Sequence, residues 1–252
     1  SALLTSTDGG KSWKVINDDE RIMPRAFYYG DIVVDPVDHK RIYKLEVVTN
    51  VSDDGGKTFE MLFPDNILHG DHHALWINPN NPNHMIDGND GGIAISYDKG
   101  KNWDFTANIP LGQFYHIATD DEYPYNIYGG LQDNGSWSGP SEVWEIGGIR
   151  NHHWKWWLYM DGFEVLPDPD NASFGYGMGQ NGWLMRWNRE TGEERIIQPV
   201  KVDDQSANLR FNWNAGFAIN PHDENVIYLG SQYVHRSMDK GNSWEIISND
   251  LT

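Results

Sequence analysis

The stretch Ser52-Asp53-Asp54-Gly55-Gly56-Lys57-Thr58-Phe59 decides the fold, because its pattern Ser-x-Asp-x-Gly-x-x-aromatic occurs four times in the chain. The other copies occupy residues 6–13, 96–103 and 237–244. The four serines stand at 6, 52, 96 and 237, so the steps are 46, 44 and 141 residues, and 141 is three times 47. A repeat of about 45 residues is the length of one four-stranded β-propeller blade. The sequence therefore predicts an all-β propeller.

The residue types of this motif are those of a tight turn between two strands. A short aspartate side chain accepts hydrogen bonds from the backbone N–H groups that follow it. Glycine adopts the positive φ that such a corner needs, and the aromatic residue begins the next strand. We therefore predict that the motif aspartates shape the hairpin between the third and fourth strands of a blade and are structural, not catalytic. These aspartates are Asp8, Asp54, Asp98 and Asp239.

A second repeated phrase, an Asx-Pro turn followed by a β-rich run, marks the connection between the first two strands of each blade. Its copies begin at Asp35, Asn78, Asp168 and Asn220, with a degenerate copy at Asp120. Together the two phrases predict one propeller domain over residues 1–252, with a half blade at 1–24 and blades at 25–65, 66–110, 111–155, 156–203 and 204–252.

The third repeat lacks the first motif, and we place Ser136–Pro140 at its position. In many propellers the two ends of the chain share one blade and so close the ring. Here the half blade supplies outer strands, but the last repeat already has its own, so this kind of closure is not expected. We therefore expect part of a larger propeller of seven or more blades, completed by upstream sequence or by another chain. A compact five-bladed ring with an extra hairpin is the alternative.

Composition restricts the kinds of partner. Lys and Arg number 19 and Asp and Glu 37, which gives a net charge of −18, so neither a nucleic acid nor an anionic membrane surface is an expected partner. The chain has no cysteine, which excludes disulfides and thiolate metal sites. No apolar run approaches the length of a membrane span. The acidic balance fits a soluble extracytoplasmic protein, secreted or periplasmic, and the 12 Trp and 12 Tyr suit surfaces that stack on sugars or bind proteins.

The repeated motif resembles the Asp-box of the BNR-repeat proteins, a group that includes sialidases, tandem-propeller xyloglucanases, the sortilin luminal domain and photosystem assembly factors. Four longer phrases resemble most closely the bacterial sortilin-like (VPS10-type) proteins labelled glycosyl hydrolases. These phrases are Leu68–Trp76, Gly88–Gly92, Tyr128–Trp137 and Arg210–Asn214. The resemblance implies the propeller fold but not one function. A sialidase arginine triad is not supported, because only Arg210 and Arg150 are placed near the expected binding face.

In a propeller, the segments that enter the blades and the turns between second and third strands share one face, where binding sites usually lie. Carboxylates and amides on this face can bind the hydroxyl groups of sugars, and a pair of carboxylates can hydrolyse a glycosidic bond. The alternative is that these side chains only cap turns. The candidate catalytic residues are Asp71, Asp90, Asp133 and Asp161, and the candidate ligand-binding residues are His72, Gln132, Asn134, Gln180, Asn212 and Trp213.

Two histidine-rich stretches are unusual. In the first, Asp71 and His73 alternate with His72, so at most two ligands point the same way, and we predict no metal site and no cofactor. The second, His152–Trp157, is expected in an insertion of the third blade, either as packing between blades or as an aromatic platform for a partner. The leading hypothesis is a non-catalytic binding or scaffold module that engages a protein complex or a glycan. The alternative is a glycoside hydrolase of the xyloglucanase type.

Overall fold

The chain folds into consecutive antiparallel sheets in the computed structural model, which describes residues 1–64, 67–200 and 208–252. Within these described ranges, five sheets have four strands each, and a sixth has two. In every four-stranded sheet the strands follow one another in sequence order, as in the blade of a propeller. The predicted all-β fold of propeller blades is therefore confirmed. Among the described residues no helix has the length and apolar character needed to cross a membrane.

The strands group into two compact units, residues 1–110 and 111–252. The first unit contains the two-stranded sheet of β1 (Leu3–Thr5) and β2 (Lys14–Asn17) and two blades. Its first blade consists of β3 (Asp31–Val34), β4 (Ile42–Leu45), β5 (Asn50–Ser52) and β6 (Glu60–Met61), and its second of β7 (His72–Ile77), β8 (Met85–Asn89), β9 (Gly92–Ser96) and β10 (Asp104–Phe105). A single 3₁₀ turn, Glu20–Ile22, precedes β3.

The second unit contains three blades and two 3₁₀ turns, Asn151–His153 and Gln180–Gly182. Its first blade consists of β11 (Phe114–Thr119), β12 (Asn126–Leu131), β13 (Gly135–Pro140) and β14 (Lys155–Leu158). The second consists of β15 (Gly162–Pro167), β16 (Phe174–Gly179), β17 (Leu184–Asn188) and β18 (Glu194–Ile196), and the third of β19 (Phe217–Ile219), β20 (Ile227–Gly230), β21 (Val234–Ser237) and β22 (Glu245–Ile246).

Apolar side chains of neighbouring blades form the core between the sheets. In the first unit Tyr43 and Leu45 of β4 pack with Leu75 and Ile77 of β7. In the second unit the indole of Trp157 stacks on that of Trp187 with ring centres 4.4 Å apart, and Trp187 also stacks on Tyr128. Burial of such a side chain contributes about 2–3 kcal/mol. Of the two roles expected for the His152–Trp157 stretch, packing between blades applies to Trp157. Trp156 is half exposed.

Each Ser-x-Asp-x-Gly motif forms the hairpin between the last two strands of its sheet. In the copy that connects β5 to β6, the Ser52 hydroxyl donates to Asp54 Oδ1 at 2.8 Å and accepts the N–H of Gly56 at 2.8 Å. The Asp54 carboxylate accepts both the N–H and the O–H of Thr58. Gly56 has a φ of 89°, which a residue with a Cβ rarely adopts. The same bonds recur around Asp8, Asp98 and Asp239.

The third repeat differs from the expectation at two places. Ser136–Pro140 was expected at the last hairpin but belongs to strand β13, because the preceding turn is already complete at Gly135 and the following residues pair with β12. Residues 141–154 connect β13 to β14 instead. Strand β14 also continues to Leu158, beyond the limit placed at 155/156, while the limits at 65/66 and 203/204 touch residues outside the described ranges.

The first two blades of the second unit approach each other through backbone atoms at Gly130 and Gly162. A Cβ on Gly130 would lie 2.1 Å from the carbonyl carbon of Gly162, a distance that real atoms do not reach. Side chains are therefore excluded from this contact. The absence of a Cβ allows β15 to lie against β12, and this approach positions the residues just before β15.

Candidate functional site

In the second unit, the segments that enter the blades bind the turns between second and third strands. The N–H of Gln132 donates to the carbonyl of Gln113 at 3.2 Å within the first blade. The N–H of Asn181, in the turn of the second blade, donates to the carbonyl of Trp213, which precedes the third blade, at 3.0 Å. These two bonds fasten the segments before β11 and β19 to the turns that follow β12 and β16.

Asp161 is the most constrained carboxylate of this group. It lies immediately before β15 and its side chain is 4% exposed. Oδ1 accepts the backbone N–H of Asp133 at 2.6 Å, and Oδ2 accepts the indole Nε1–H of Trp213 at 2.9 Å. Among the described residues Asp161 forms no ion pair with Lys or Arg. Two neutral donors therefore hold a negative charge in place without cancelling it.

Glu164 adds a second acidic side chain at the beginning of β15. Its Oε2 atom is buried and accepts no hydrogen bond from the described residues. Nδ1 of His116 in β11 lies 3.7 Å from Oε2, which is longer than a hydrogen bond. His116 is half exposed, and its Nε2 lies 3.5 Å from the side-chain nitrogen of Asn214. The imidazole of His116 thus lies beside a carboxyl group, that of Glu164, with one oxygen removed from water.

The electrostatics of Asp161 and Glu164 differ. Burial raises the pKa of Glu164, because desolvation disfavours the charged carboxylate, and the partly compensating His116 charge does not reverse this direction. Asp161 instead accepts two hydrogen bonds from neutral donors. Two acidic side chains with different surroundings therefore lie three residues apart in the sequence.

Several predicted ligand-binding residues border this site. Trp213 is 51% exposed, so one part of its ring faces solvent while its nitrogen binds Asp161. The Gln132 side chain accepts a hydrogen bond from Gln113 at 3.1 Å, and the Asn134 amide donates to the Gln132 carbonyl at 3.0 Å. Asn212 caps the N–H of Trp213 at 2.9 Å. Gln180 begins a single 3₁₀ turn and is partly exposed.

In the first unit several side chains surround Asp71. Asp71 precedes β7 and has a φ of 59°, an unusual angle for a residue with a side chain. Arg25 and the hydroxyl of Tyr29 both donate to Asp71 Oδ1. The Arg25 guanidinium also lies 5.2 Å from the centre of the Tyr29 ring. Burial and the Asp71 carboxylate raise the pKa of Tyr29, so its hydroxyl remains a donor at neutral pH.

The same cluster continues to Asp90 through His73. The Tyr29 ring packs on the His73 ring with centres 4.3 Å apart, and Nε2 of His73 lies 3.2 Å from Asp90 Oδ1. His72 points the other way. Its side chain is 2% exposed, and Nδ1 lies 2.9 Å from Asp87 inside the blade. The prediction that His72 contacts a ligand is therefore corrected: strand alternation turns it into the core.

The four candidate catalytic aspartates thus have different surroundings. Asp133 and Asp161 are in direct contact in the second unit, whereas Asp71 and Asp90 belong to the first-unit network. His116, Glu164 and Asn214 were missed by sequence reasoning. Glu164 carried a detectable signal, because it is charged within the otherwise apolar stretch Phe163–Leu166. His116 and Asn214 carried none, since polar residues are ordinary near the start of a strand.

A cavity of about 490 Å³ lies at the other ends of β11 and β15, away from these residues. It is lined by acidic turn residues such as Asp120 and Asp168. The Asp120 carboxylate accepts bonds from Asn126 and Tyr128, and that of Asp168 pairs with Lys240 at 2.5 Å. Since these carboxylates serve the Asx turns and their neighbours, we assign this cavity a structural role.

Neither a protein-family model nor a curated protein matches the chain. Solved structures similar to it include the GH74 xyloglucanase from Xanthomonas campestris, at 18% identity and a TM-score of 0.39 over 87% of this chain and 38% of that one. The extracellular domain of a one-component system from B. thetaiotaomicron is similar at 14% identity and 0.38, over 86% and 27%. YCF48 bound to a D1 peptide is similar at 14% and 0.34, over 100% and 77%. The chain spans about two fifths of the length of the xyloglucanase.

Proposed function

We propose that the second unit is a non-catalytic, extracytoplasmic recognition module that binds a glycan at the site around Asp161. The observation that carries the proposal is the pair of hydrogen bonds from Asp133 and Trp213, which hold an uncompensated carboxylate beside a half-exposed indole. A carboxylate can accept bonds from sugar hydroxyls, and the face of an indole can pack on the apolar face of a sugar ring. The net charge of −18 suits a soluble protein outside the cytoplasm.

A protein partner is the other possible occupant of a recognition module. Of the similar proteins, one is described with a bound peptide and another is an extracellular domain, but this chain supplies its own argument for a glycan. The exposed aromatic side chains Trp156 and Tyr159 lie close in sequence to Asp161, with their ring centres 6.2 Å apart. Rigid aromatic surfaces beside polar acceptors fit the alternating apolar and hydroxylated faces of a sugar chain.

The test is a calorimetric titration of the 252-residue chain and its variants with soluble β-glucan and xyloglucan oligosaccharides. In the wild type the NMR signal of the Trp213 indole N–H is expected to shift on binding. Trp213→Ala is expected to weaken binding about tenfold, since the loss of a stacked ring costs roughly 1–1.5 kcal/mol. Trp144→Ala is the matched control, because Trp144 is fully exposed and lies outside the site. Glycan affinity that is unchanged in Trp213→Ala contradicts the proposed position of the site. A chain that binds a protein but none of these glycans contradicts the proposed ligand.

Glu164 favours a second candidate function, glycoside hydrolysis. A carboxyl group with a raised pKa can protonate a leaving oxygen, and a neighbouring carboxylate can act as base or nucleophile. Under this alternative Glu164 is the acid and Asp161 or Asp133 the second group. Release of reducing ends from a β-glucan by the wild type, abolished in Glu164→Gln with binding retained, would establish the hydrolase. Binding without turnover in the wild type would favour the recognition module.

A further inference from the structure

The connection between β13 and β14, residues 141–154, differs from the compact motif hairpins of other blades. It contains the 3₁₀ turn Asn151–His153 and extends two apolar side chains, Trp144 and Ile146, fully into solvent. Glu145 lies between these two residues in the sequence. The segment is distinct from the site around Asp161 and takes no part in the proposed function.

Three side chains of this segment converge on one point. Nε2 of His153 lies 3.2 Å from Glu145 Oε1, and Nε2 of His152 lies 3.7 Å from Glu145 Oε2. One ligand atom of each residue lies within 4.8 Å of the others. A tetrahedral zinc ion with bonds of about 2.1 Å separates its ligand atoms by roughly 3.4 Å. The observed spacing matches this geometry with only small movements of the side chains.

From this geometry we infer that Glu145, His152 and His153 bind a zinc ion, with water in the fourth position. Two imidazole nitrogens and one carboxylate oxygen are a ligand set that zinc prefers and that calcium and magnesium, which select oxygen ligands, do not. The rings of His152 and His153 pack side by side, 4.0 Å between centres, so that both can present Nε2 to the same ion.

The hydrogen bonds of His153 define what zinc binding must change. Nδ1 accepts the backbone N–H of Arg150 at 2.9 Å, which places the proton of the neutral ring on Nε2, facing Glu145. Zinc replaces that proton, which leaves to solvent, and the ring remains neutral by taking a proton from water on Nδ1. The Arg150 N–H then loses its acceptor and turns to solvent. Zinc binding therefore opens the cap of the Asn151–His153 turn and replaces a local hydrogen bond by a metal link to Glu145.

The consequence is a segment whose conformation depends on zinc. With the ion bound, Glu145 and the two histidines are tied together across six intervening residues, and the neighbours Trp144 and Ile146 are held at a fixed position. The rearranged cap makes the zinc-bound and zinc-free segments distinguishable by spectroscopy.

Equilibrium dialysis of the full chain against zinc sulfate tests the inference. We expect one zinc ion per chain, and an affinity at least about tenfold lower in Glu145→Gln and in His152→Asn, as loss of a ligand removes one metal bond. His222→Asn is the matched control, because His222 is also exposed and lies beside Asp223 and Glu224 in sequence. Circular dichroism of each variant verifies that it is folded.

A second measurement follows the proton on His153. The ¹⁵N shifts of its ring are expected to change from the Nε2–H form to the Nδ1–H form as zinc is added, with no such change in Glu145→Gln. Equal zinc affinity in the wild type, Glu145→Gln and His152→Asn overturns the inference. A loss of zinc affinity in His222→Asn as large as that in the two ligand variants overturns it too. A wild-type chain that retains no zinc at millimolar concentrations overturns it as well.

Discussion

Asp71 and Asp161 stand at equivalent positions, each directly before the first strand of a blade, yet their surroundings differ in kind. Asp71 binds a guanidinium and a phenol, so its charge is compensated by Arg25. Asp161 binds a backbone N–H and an indole N–H, so its charge is held but not compensated. The first arrangement fastens an otherwise irregular segment to a blade. The second leaves the negative charge of Asp161 uncompensated beside the half-exposed indole of Trp213, as the proposed recognition site requires.

The comparison also shows what a repeat does and does not determine. The repeat sets where the first strand of each blade begins, but the residue before that strand varies: it is an aspartate in two blades, Asp71 and Asp161, and Gly30, Gln113 or Gly216 in the others. Where an aspartate stands at this position, its partners are not repeated either. The partner comes from whichever segment lies next to it, and these segments differ between units. The surroundings of the two aspartates therefore depend on parts of the sequence that do not repeat.

The largest effect is expected for Asp161→Ala. The change leaves the N–H of Asp133 and the indole of Trp213 without their acceptor, at a cost of about 3 kcal/mol in the free energy of unfolding. Urea denaturation at pH 7 measures it. Asp161→Asn, which retains one acceptor oxygen, should lose less. A loss below about 1 kcal/mol for the alanine variant would contradict the difference drawn between the two aspartates.

An intermediate effect is expected for the ion pair of Arg25 and Asp71, both partly exposed. A double-mutant cycle with Arg25→Gln and Asp71→Asn should give a coupling energy of about 1 kcal/mol at low salt, smaller in 1 M NaCl because salt screens charges near the surface. The stability loss in Asp161→Asn should change little with salt. Absence of coupling would show that Arg25 does not compensate Asp71.

A smaller effect concerns the pH dependence that Glu164 introduces. Because its pKa is raised in the folded state, the ionised side chain destabilises the fold at pH 7, and this penalty disappears as the pH falls through the raised pKa towards the ordinary value of 4.5. Glu164→Gln should therefore be the more stable protein at pH 7 and should match the wild type near pH 4. Glu60→Gln, at an exposed position of β6, is the control. A difference that grows towards acid pH would reverse the assigned direction.

The smallest effect is expected for the exposed motif aspartate Asp8. Hydrogen bonds from the Ser12 hydroxyl and backbone N–H lower the pKa of Asp8 to about 2. A lowered pKa stabilises the fold above the unfolded value near 4, and this contribution is lost as the pH falls through about 2. Asp8→Asn should thus lower the melting temperature slightly at pH 7 and not at pH 2, without altering ligand binding. An effect on binding would give Asp8 a role beyond its hairpin.

Much of this architecture could be predicted from the sequence, because the hairpin and Asx-Pro turns depend on contacts within a few residues. Ser52, Asp54 and Thr58 satisfy one another locally, so their pattern alone specifies a corner. The partners of the site residues are distant in sequence: Arg25 lies 46 residues from Asp71, and Trp213 lies 52 residues from Asp161. Such pairs depend on how blades pack. His72 was wrongly predicted to contact a ligand because alternation alone does not state which face of β7 is buried.

The locality of the hairpin motif has a further consequence for the order in which the chain folds. The hydrogen bonds of the Ser and Asp side chains in this corner fall within eight residues, so they need little loop closure and can form on the microsecond time scale before any long-range contact. The contacts of Asp71 and Asp161 require chain segments separated by some fifty residues and must form later. We therefore expect the hairpins to appear first and independently along the chain, in the manner of a one-dimensional array, while the surroundings of Asp71 and Asp161 are among the last parts to become structured.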